Sequence, residues 1–257
     1  MISRRNLLSG LAASTAAGCS ARQAPLAPYQ YPIAPPPPDR ASLGLDAVID
    51  LSRFVTVTDF RLVRQSNILG VIHKATEGGD YADAMCAARR PQAEAAGLLW
   101  GAYHFGTGSD PGKQAEEFVQ VADVADDELL VLDYETNEHG TQMKVPGAKQ
   151  FINRVLELTG RRPGLYSGNT IRNDLGNNAD PDLAKCWLWV AHYDSPPAAP
   201  KIHKTWSKWT LWQYTDGQAG PDPHLITGFG RCDRDTFNGD AAALTVFWKS
   251  GGTVLPQ

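Results

Sequence analysis

The chain has 257 residues, of which 42% are hydrophobic and 20% are charged, and its net charge at neutral pH is −4. From Ala41 onward it carries 20 basic and 27 acidic residues, a net charge of −7. An acidic body argues against a nucleic-acid partner and against electrostatic binding to a membrane surface. The 217 residues from Ala41 onward suffice for one domain of barrel or doubly wound size.

Residues 1–19 have the pattern of a signal peptide, with a basic start and a middle of apolar and small residues. The Arg4-Arg5 pair suggests the twin-arginine export route. Ala17-Gly18-Cys19 resembles a bacterial lipobox, although Ala16 stands where such boxes usually carry Leu. We therefore expect an exported lipoprotein that is anchored to the membrane through Cys19 and faces the periplasm or the cell wall.

Residues 20–40 predict a tether, because they include YQYPIAPPPPD with four consecutive prolines. Such a composition favours an extended polyproline spacer, and a disordered tail without a function is the alternative. The folded domain is then expected at residues 41–257.

Strand-like apolar runs alternate with helical patterns from there to the end of the chain. Strands are predicted at residues 47–51, 69–75, 98–105, 129–133, 164–168, 187–193 and 210–214. Helices are predicted at residues 112–124, 145–159 and 240–249, and at residues 82–96 as two pieces or one kinked helix, because of Pro91. Strands separated by helices pair mostly in parallel, and seven or more favour a closed barrel. We expect a single α/β domain, an irregular TIM-like β/α barrel.

The run LLVLDYETN at residues 129–137 leads from apolar residues directly into Asp133 and Glu135. Alternation along a strand places these two carboxylates on one side, roughly 6.6 Å apart at Cα, and Tyr134 on the other. Two buried carboxylates are costly unless each has a charged or hydrogen-bonding partner or a shifted pKa. Glycoside hydrolysis uses two such groups, one as the acid and the other as base or nucleophile. The alternative is that both residues only begin a solvated loop.

Other polar residues also fall where predicted strands end, which is where catalytic groups of such barrels lie. They are Asp50, Glu77, His104, Tyr166, Tyr193 and Gln213. The histidines lack zinc-ligand spacing. Among Cys86, Cys186 and Cys232, a Cys186–Cys232 disulfide is conceivable, but the sequence cannot fix the connectivity.

The order of these segments resembles glycoside hydrolase family 25, the bacterial and phage muramidases. The matching segments are VIDLS, VIHKATEGGDY, GLLWGAYHFGTGSDPGKQAEEF, VLDYETN, PGLYSGN, LWVAHY, LWQYT and CDRDTFNGD. The resemblance implies cleavage, with retention, of the β-1,4 bond between N-acetylmuramic acid and N-acetylglucosamine in peptidoglycan. It implies a peptidoglycan glycan strand as partner, no cofactor and no metal, and we expect a monomer.

The resemblance also implies roles for individual residues. Glu135 would be the general acid, and Asp133 would act as nucleophile or would orient the substrate's acetamido group. Asp50 and Asp233 would complete an acidic cluster that retains a proton near neutral pH. The implied sugar-binding residues are Tyr103, Tyr166, Trp189, Tyr193, Gln213 and Glu77, of which Tyr103 and Trp189 have core packing as the alternative.

The chain departs from the family pattern in two segments. After Ser52 it has Arg53, Phe54 and Val55 where the family usually has an aromatic residue, Asn or Gln, and Gly. In the closing segment Cys232 replaces an apolar residue and Asp235 replaces Asn. We expect Asp235 to be a surface charge rather than a residue that shifts neighbouring pKa values, and His104 to be a structural histidine.

Two alternatives to a muramidase remain open from the sequence. The altered segments motivate a peptidoglycan-binding lipoprotein that lacks catalysis. A chitinase-like hydrolase would also use Asp-x-Glu, but Val131 and Glu128 occupy the positions where those enzymes carry further aspartates.

Overall fold

The computed structural model describes residues 43–193 and 199–255. Its strands are β1 Leu45–Leu51, β2 Gly70–Glu77, β3 Tyr81–Ala82, β4 Leu99–Phe105, β5 Leu129–Asp133, β6 Gly164–Ser167, β7 Leu188–Ala191, β8 Leu211–Thr215, β9 Leu225–Ile226, β10 Gly230–Arg231 and β11 Asp233–Phe237. Its α-helices are α1 Phe60–Gln65, α2 Ala84–Ala95, α3 Pro111–Ala122, α4 Val145–Thr159, α5 Asn169–Leu175 and α6 Ala241–Lys249, and Leu183–Lys185 forms a 3₁₀ turn.

Within these two segments, eight strands close into a barrel in the order β1-β2-β4-β5-β6-β7-β8-β11. Neighbouring strands from β1 to β8 are parallel, whereas β11 is antiparallel to both β8 and β1. β3 extends the sheet beyond β2, and β9 and β10 form a separate pair. The predicted closed α/β barrel is confirmed.

Apolar residues pack in two layers. One layer lies between the barrel and the helices that surround it and includes Phe118 and Phe151. The other fills the barrel interior, where Phe247 and Trp248 of α6 pack against strand residues such as Leu129. Because Leu129 begins β5, α6 closes the end of the barrel at which the parallel strands start, and any cavity inside the barrel must open at their carboxyl ends.

The predicted strands and long helices are found close to their expected positions, but three differences stand out. β11 was not predicted as a strand, because DRDTF lacks the apolar run of a buried strand. The short helices α1 and α5 were also missed. α2 is one helix rather than two pieces, although it contains Pro91. Burial of Cys86, Arg89 and Ala93 stabilises the helix and offsets the helix-breaking tendency of the proline.

The Cys186–Cys232 disulfide that the sequence left open is not formed in the structure. Cys86, Cys186 and Cys232 are all buried free thiols. The predicted signal peptide, the Cys19 anchor and the tether lie outside the described residues. Among the residues that the structure does describe, no helix combines the length and apolar character of a membrane span.

Candidate active site

Alternation along β5 sets the position of the predicted carboxylate pair. Leu129 and Val131 point into the barrel, whereas Leu130 and Leu132 pack against the helices. Asp133, two residues after Val131, therefore also faces the interior, as the strand pattern predicted.

The next two residues continue this alternation beyond the end of the strand. Tyr134 is buried on the outer side, where its hydroxyl donates a hydrogen bond of 2.5 Å to Asp174 Oδ2. Glu135 returns to the inner side and lines the same cavity as Asp133. The two carboxyl groups thus share one cavity and do not simply begin a solvated loop.

The cavity has a volume of about 190 Å³ and opens at the carboxyl ends of the parallel strands. It is lined by Asp50, Tyr103, Asp133, Glu135, Tyr166, Trp189, Tyr193, Gln213 and Asp233. Of the site residues predicted within the described segments, Glu77 alone is absent from this lining. Its carboxylate is instead paired with Lys74 Nζ at 2.5 Å beside the cavity.

Asp50 and Asp233 lie directly opposite each other in the antiparallel β1–β11 pair. Burial, followed by the charges of Asp233 and Asp235, raises the pKa of Asp50 well above its ordinary value. Burial also raises the pKa of Asp233 to about 6, although a hydrogen bond with Asp50 works in the opposite direction. Burial and the contact between the two carboxyl groups therefore favour a protonated Asp50 that donates a hydrogen bond to the Asp233 carboxylate.

Gln213 connects three sides of the cavity. Its Nε2 donates a hydrogen bond of 2.6 Å to Asp50 Oδ2, and its Oε1 accepts one of 2.6 Å from the Tyr166 hydroxyl. The Tyr193 hydroxyl donates to the same Oε1. These bonds fix the amide orientation and hold both tyrosine rings at the cavity wall.

Asp235 is fully buried, so the expectation of a surface charge is wrong. Its Oδ1 accepts a hydrogen bond of 2.6 Å from Trp189 Nε1. Its Oδ2 has no hydrogen-bond partner among the described residues. Burial raises the pKa of Asp235 well above its ordinary value and thereby favours the neutral form of this carboxyl. The prediction failed because aspartate is rarely buried in proteins, and nothing in the segment CDRDTFNGD indicates a buried partner for Asp235.

The two carboxyl groups after β5 also have raised pKa values. Burial, followed by the charge of Asp233, raises the pKa of Glu135 to about 7. Burial and then the charge of Glu135 raise the pKa of Asp133, whereas the Lys74 ammonium lowers it. Glu135 thus keeps its proton near neutral pH and can donate it, which is the requirement for a general acid.

Lys74 is a site residue that the sequence reasoning missed. It lies beside Tyr103 in the β2–β4 register and favours the ionised form of Asp133. A signal was present, because VIHKATEGGDY places a cation within the same segment as Glu77. Its partly buried side chain brings positive charge to an acidic cavity.

His104 is the structural histidine that the sequence predicted. It is fully buried, and its two ring nitrogens lie 2.8 Å from Thr76 Oγ1 and 2.9 Å from Gln114 Oε1. Its ring stacks on Phe151. These contacts satisfy both nitrogens away from the cavity.

A second depression, of about 660 Å³, lies outside the barrel between α3 and α4. Its charged residues are engaged in ion pairs, Lys149 with Asp180 and Arg154 with Glu116. It therefore lacks the proton-holding carboxyl groups of the barrel cavity. In the described segments, no three His, Cys, Asp or Glu side chains are grouped so as to hold a metal ion.

Comparison with known proteins agrees with this geometry. The chain is 31% identical over 211 residues to "Lysozyme M1" of Streptomyces globisporus, a match that covers 76% of this chain and 69% of that protein. It is 29% identical over 209 residues to the uncharacterised protein YegX of Escherichia coli K12, covering 77% of this chain and 72% of that protein.

Solved structures share the fold. The bacterial lysozyme from Streptomyces coelicolor superposes with a TM-score of 0.71 at 27% identity, covering 81% of this chain and 98% of that one. The muramidase from Acremonium alcalophilum superposes with a TM-score of 0.69 at 26% identity, and the match covers 80% of this chain and 99% of that one.

The family model "Glycosyl hydrolases family 25" matches residues 49–222, most of the described barrel. The acid-lined cavity at the carboxyl ends of the strands and the muramidase-like fold agree with that match. The chain belongs to glycosyl hydrolase family 25 and is a glycoside hydrolase.

Proposed function

We propose that the protein cleaves the β-1,4 bond between N-acetylmuramic acid and N-acetylglucosamine in peptidoglycan, with retention of configuration. The observation that carries the proposal is that Glu135 and Asp133 line one cavity while burial holds the pKa of Glu135 at about 7. Retaining hydrolysis uses two carboxyl groups that flank the scissile bond, a protonated one as general acid and an ionised one as nucleophile.

Glu135 is the proposed general acid, which donates its proton to the oxygen of the leaving sugar. The resulting carboxylate can then take a proton from the attacking water in the second half of the reaction. Because the pKa of the group is about 7, both transfers are accessible near neutral pH.

Asp133 is the proposed second carboxyl group, acting either as nucleophile or by orienting the substrate's acetamido group. Lys74 supports an ionised Asp133, because its charge counteracts the effect of burial. Protonation of Glu135 has the same effect, since it removes the negative charge that raises the pKa of Asp133. Both effects oppose the rise in the pKa of Asp133 that burial causes.

The remaining cavity residues are proposed to bind the sugar. Tyr166 and Trp189 present ring faces and edges, and Gln213 fixes the hydroxyl groups of the two tyrosines that it contacts. The carboxyl oxygens of the Asp50–Asp233 pair can accept hydrogen bonds from sugar hydroxyl groups. Such a fixed set of polar groups would bind the sugar and also hold it in one orientation relative to the two carboxyl groups.

The cellular placement is part of the same proposal. Residues 1–19 would direct export and provide the Cys19 anchor, residues 20–40 would be the tether, and residues 41–257 the catalytic domain, acting as a monomer. A tethered enzyme facing the cell wall would meet an insoluble polymer beside its own membrane.

The test is digestion of purified peptidoglycan by the full chain. Mass spectrometry of the products should show N-acetylmuramic acid at the new reducing ends, and NMR of the first product formed should show the β anomer. Binding to peptidoglycan without release of reducing ends would support the non-catalytic alternative. Reducing ends at N-acetylglucosamine would refute the assigned bond.

A further inference from the structure

A row of alternating cations and aromatic rings extends outward beside the cavity. Lys74 Nζ lies 5.6 Å from the centroid of the Tyr81 ring. The Arg53 guanidinium carbon lies 5.0 Å from the same centroid and 4.8 Å from that of Phe54. We call Lys74, Tyr81, Arg53 and Phe54 the rim row.

The rim row lies near the acid cavity. Its inner end, Lys74, acts electrostatically on Asp133. At the outer end, Val55 follows Phe54 and borders a depression of about 530 Å³ that shares Asp233 with the cavity. The rim row thus lies near the cavity, with Lys74 close to Asp133 and Phe54 next to a residue that lines the adjoining depression.

The loop that presents the outer residues is held in place by two buried charged side chains. Asp83 Oδ2 accepts a hydrogen bond of 2.8 Å from the backbone N–H of Arg53. Arg89 donates from Nη1 to the Ser52 carbonyl oxygen at 2.9 Å and from Nη2 to the Val55 carbonyl oxygen at 2.5 Å. Preorganisation of this kind lowers the entropy lost when a ligand binds.

The same loop exposes an aromatic ring and a guanidinium to solvent. The Phe54 side chain is 78% exposed. The ammonium of Lys74 is paired with Glu77, whereas the exposed Arg53 guanidinium forms no ion pair with any residue that the structure describes. In a domain with a net charge of −7, this arrangement places a guanidinium, the donor group best suited to a carboxylate, between two aromatic rings.

We infer that the rim row binds the peptide stem of the substrate, with Arg53 paired to a stem carboxylate and with Phe54 and Tyr81 against its apolar parts. The inference rests on the proposed function, because in peptidoglycan the lactyl group of N-acetylmuramic acid carries a short peptide with free carboxylates. A bare glycan strand supplies ring faces for stacking but no anion, so charge complementarity favours the stem. The protein would then prefer peptide-bearing over peptide-free strands.

The experiment compares two substrates for the full chain. One is peptidoglycan with intact stems, and the other is the same material after an amidase has removed them. The readout is the ratio of the two kcat/KM values. The Arg53→Gln variant should lower this ratio about three- to tenfold, the range of one exposed or partly desolvated charge pair. Arg53→Lys keeps the positive charge but lacks the planar guanidinium that binds a carboxylate through two hydrogen bonds, so it should lower the ratio less than Arg53→Gln does.

Three comparisons complete the design. Arg154→Gln removes an exposed arginine from α4 and should leave the ratio at the wild-type value. Amidation of the stem carboxylates should lower the wild-type ratio as Arg53→Gln does. Added salt should lower the ratio of the wild type more than it lowers the ratio of Arg53→Gln, because salt screens the charge pair that only the wild type can form. A ratio that is the same for wild type and Arg53→Gln overturns the stem site alone. Failure of wild type to cleave either substrate overturns the proposed function as well.

Discussion

Glu135 and Asp233 face the cavity from opposite sides of the barrel. Glu135 follows β5 and Asp233 begins β11, and four strand-to-strand steps separate these strands in either direction around the eight-stranded ring. After burial, the charge of Asp233 is the main cause of the raised pKa of Glu135. The acidity of the proposed proton donor is therefore set across the cavity, by a residue more distant in sequence than its neighbour Asp133.

Asp233→Asn should move the basic limb of the pH profile of kcat/KM to lower pH. With Glu135 as the proposed general acid, activity should fall as the pH rises through its pKa of about 7. Removing the negative charge at position 233 makes ionisation of Glu135 easier and lowers that pKa. The measurement is the release of reducing ends between pH 4 and pH 9.

The matched control is Asp127→Asn, an exposed aspartate before β5 at the opposite end of the barrel. Its basic limb should coincide with that of wild type. A basic limb that stays in place in Asp233→Asn would mean that Glu135 does not titrate under the influence of Asp233.

Glu135→Gln should reduce kcat about 10²- to 10⁴-fold, the contribution that general acid catalysis typically makes. The amide keeps the size of the side chain but has no acidic proton to donate. Thermal unfolding should show that the variant folds. Glu138→Gln, in the exposed part of the same loop, should retain wild-type kcat, and activity near wild type in Glu135→Gln would exclude Glu135 as the acid.

The strand positions and most cavity residues could be predicted because periodicity and segment order carry that information locally. Leu129 to Asp133 show the alternation directly, and the positions of Asp50, Tyr166 and Gln213 at the ends of apolar runs follow from it. Parallel strands bring such ends to one edge, so the cavity follows from the pattern once the barrel is assumed.

Two of the differences from the sequence-based expectation depend on partners distant in sequence, and the third depends on a nearby one. β11 is a strand because it closes the ring between β1 and β8, and nothing in DRDTF signals this. Asp235 is buried because Trp189, 46 residues away, donates to it. Glu77 is directed to Lys74 rather than into the cavity, a choice between nearby partners that sequence alone does not resolve.

Asp235→Asn should stabilise the protein at pH 7 relative to wild type, and less so at pH 4. The folded-state pKa of Asp235 is raised above its unfolded value of about 3.9, so its contribution to stability is present at low pH and is lost as the pH rises towards the folded-state pKa. The amide keeps an oxygen for Trp189 Nε1 and removes the ionisable group.

The measurement is Tm at both pH values, where each kcal/mol recovered should raise Tm by about 2–4 °C for a domain of this size. Asp127→Asn again serves as the exposed control. A difference between variant and wild type that is equal at pH 4 and pH 7 would show that Asp235 is not the neutral, buried acid described above.

Cys86, Cys186 and Cys232 should resist alkylation in the folded protein and react fully after unfolding, without any reductant. All three thiols are buried, and burial raises the pKa of Cys86 and Cys186 to about 12 and also raises that of Cys232. Since the thiolate is the reactive form, both access and ionisation protect them. Iodoacetamide labelling at pH 8 followed by peptide mass spectrometry, with and without denaturant, measures this. If Cys186 and Cys232 stayed unlabelled in denaturant until a reductant was added, they would be joined by a disulfide in the isolated protein, contrary to the free thiols of the structure.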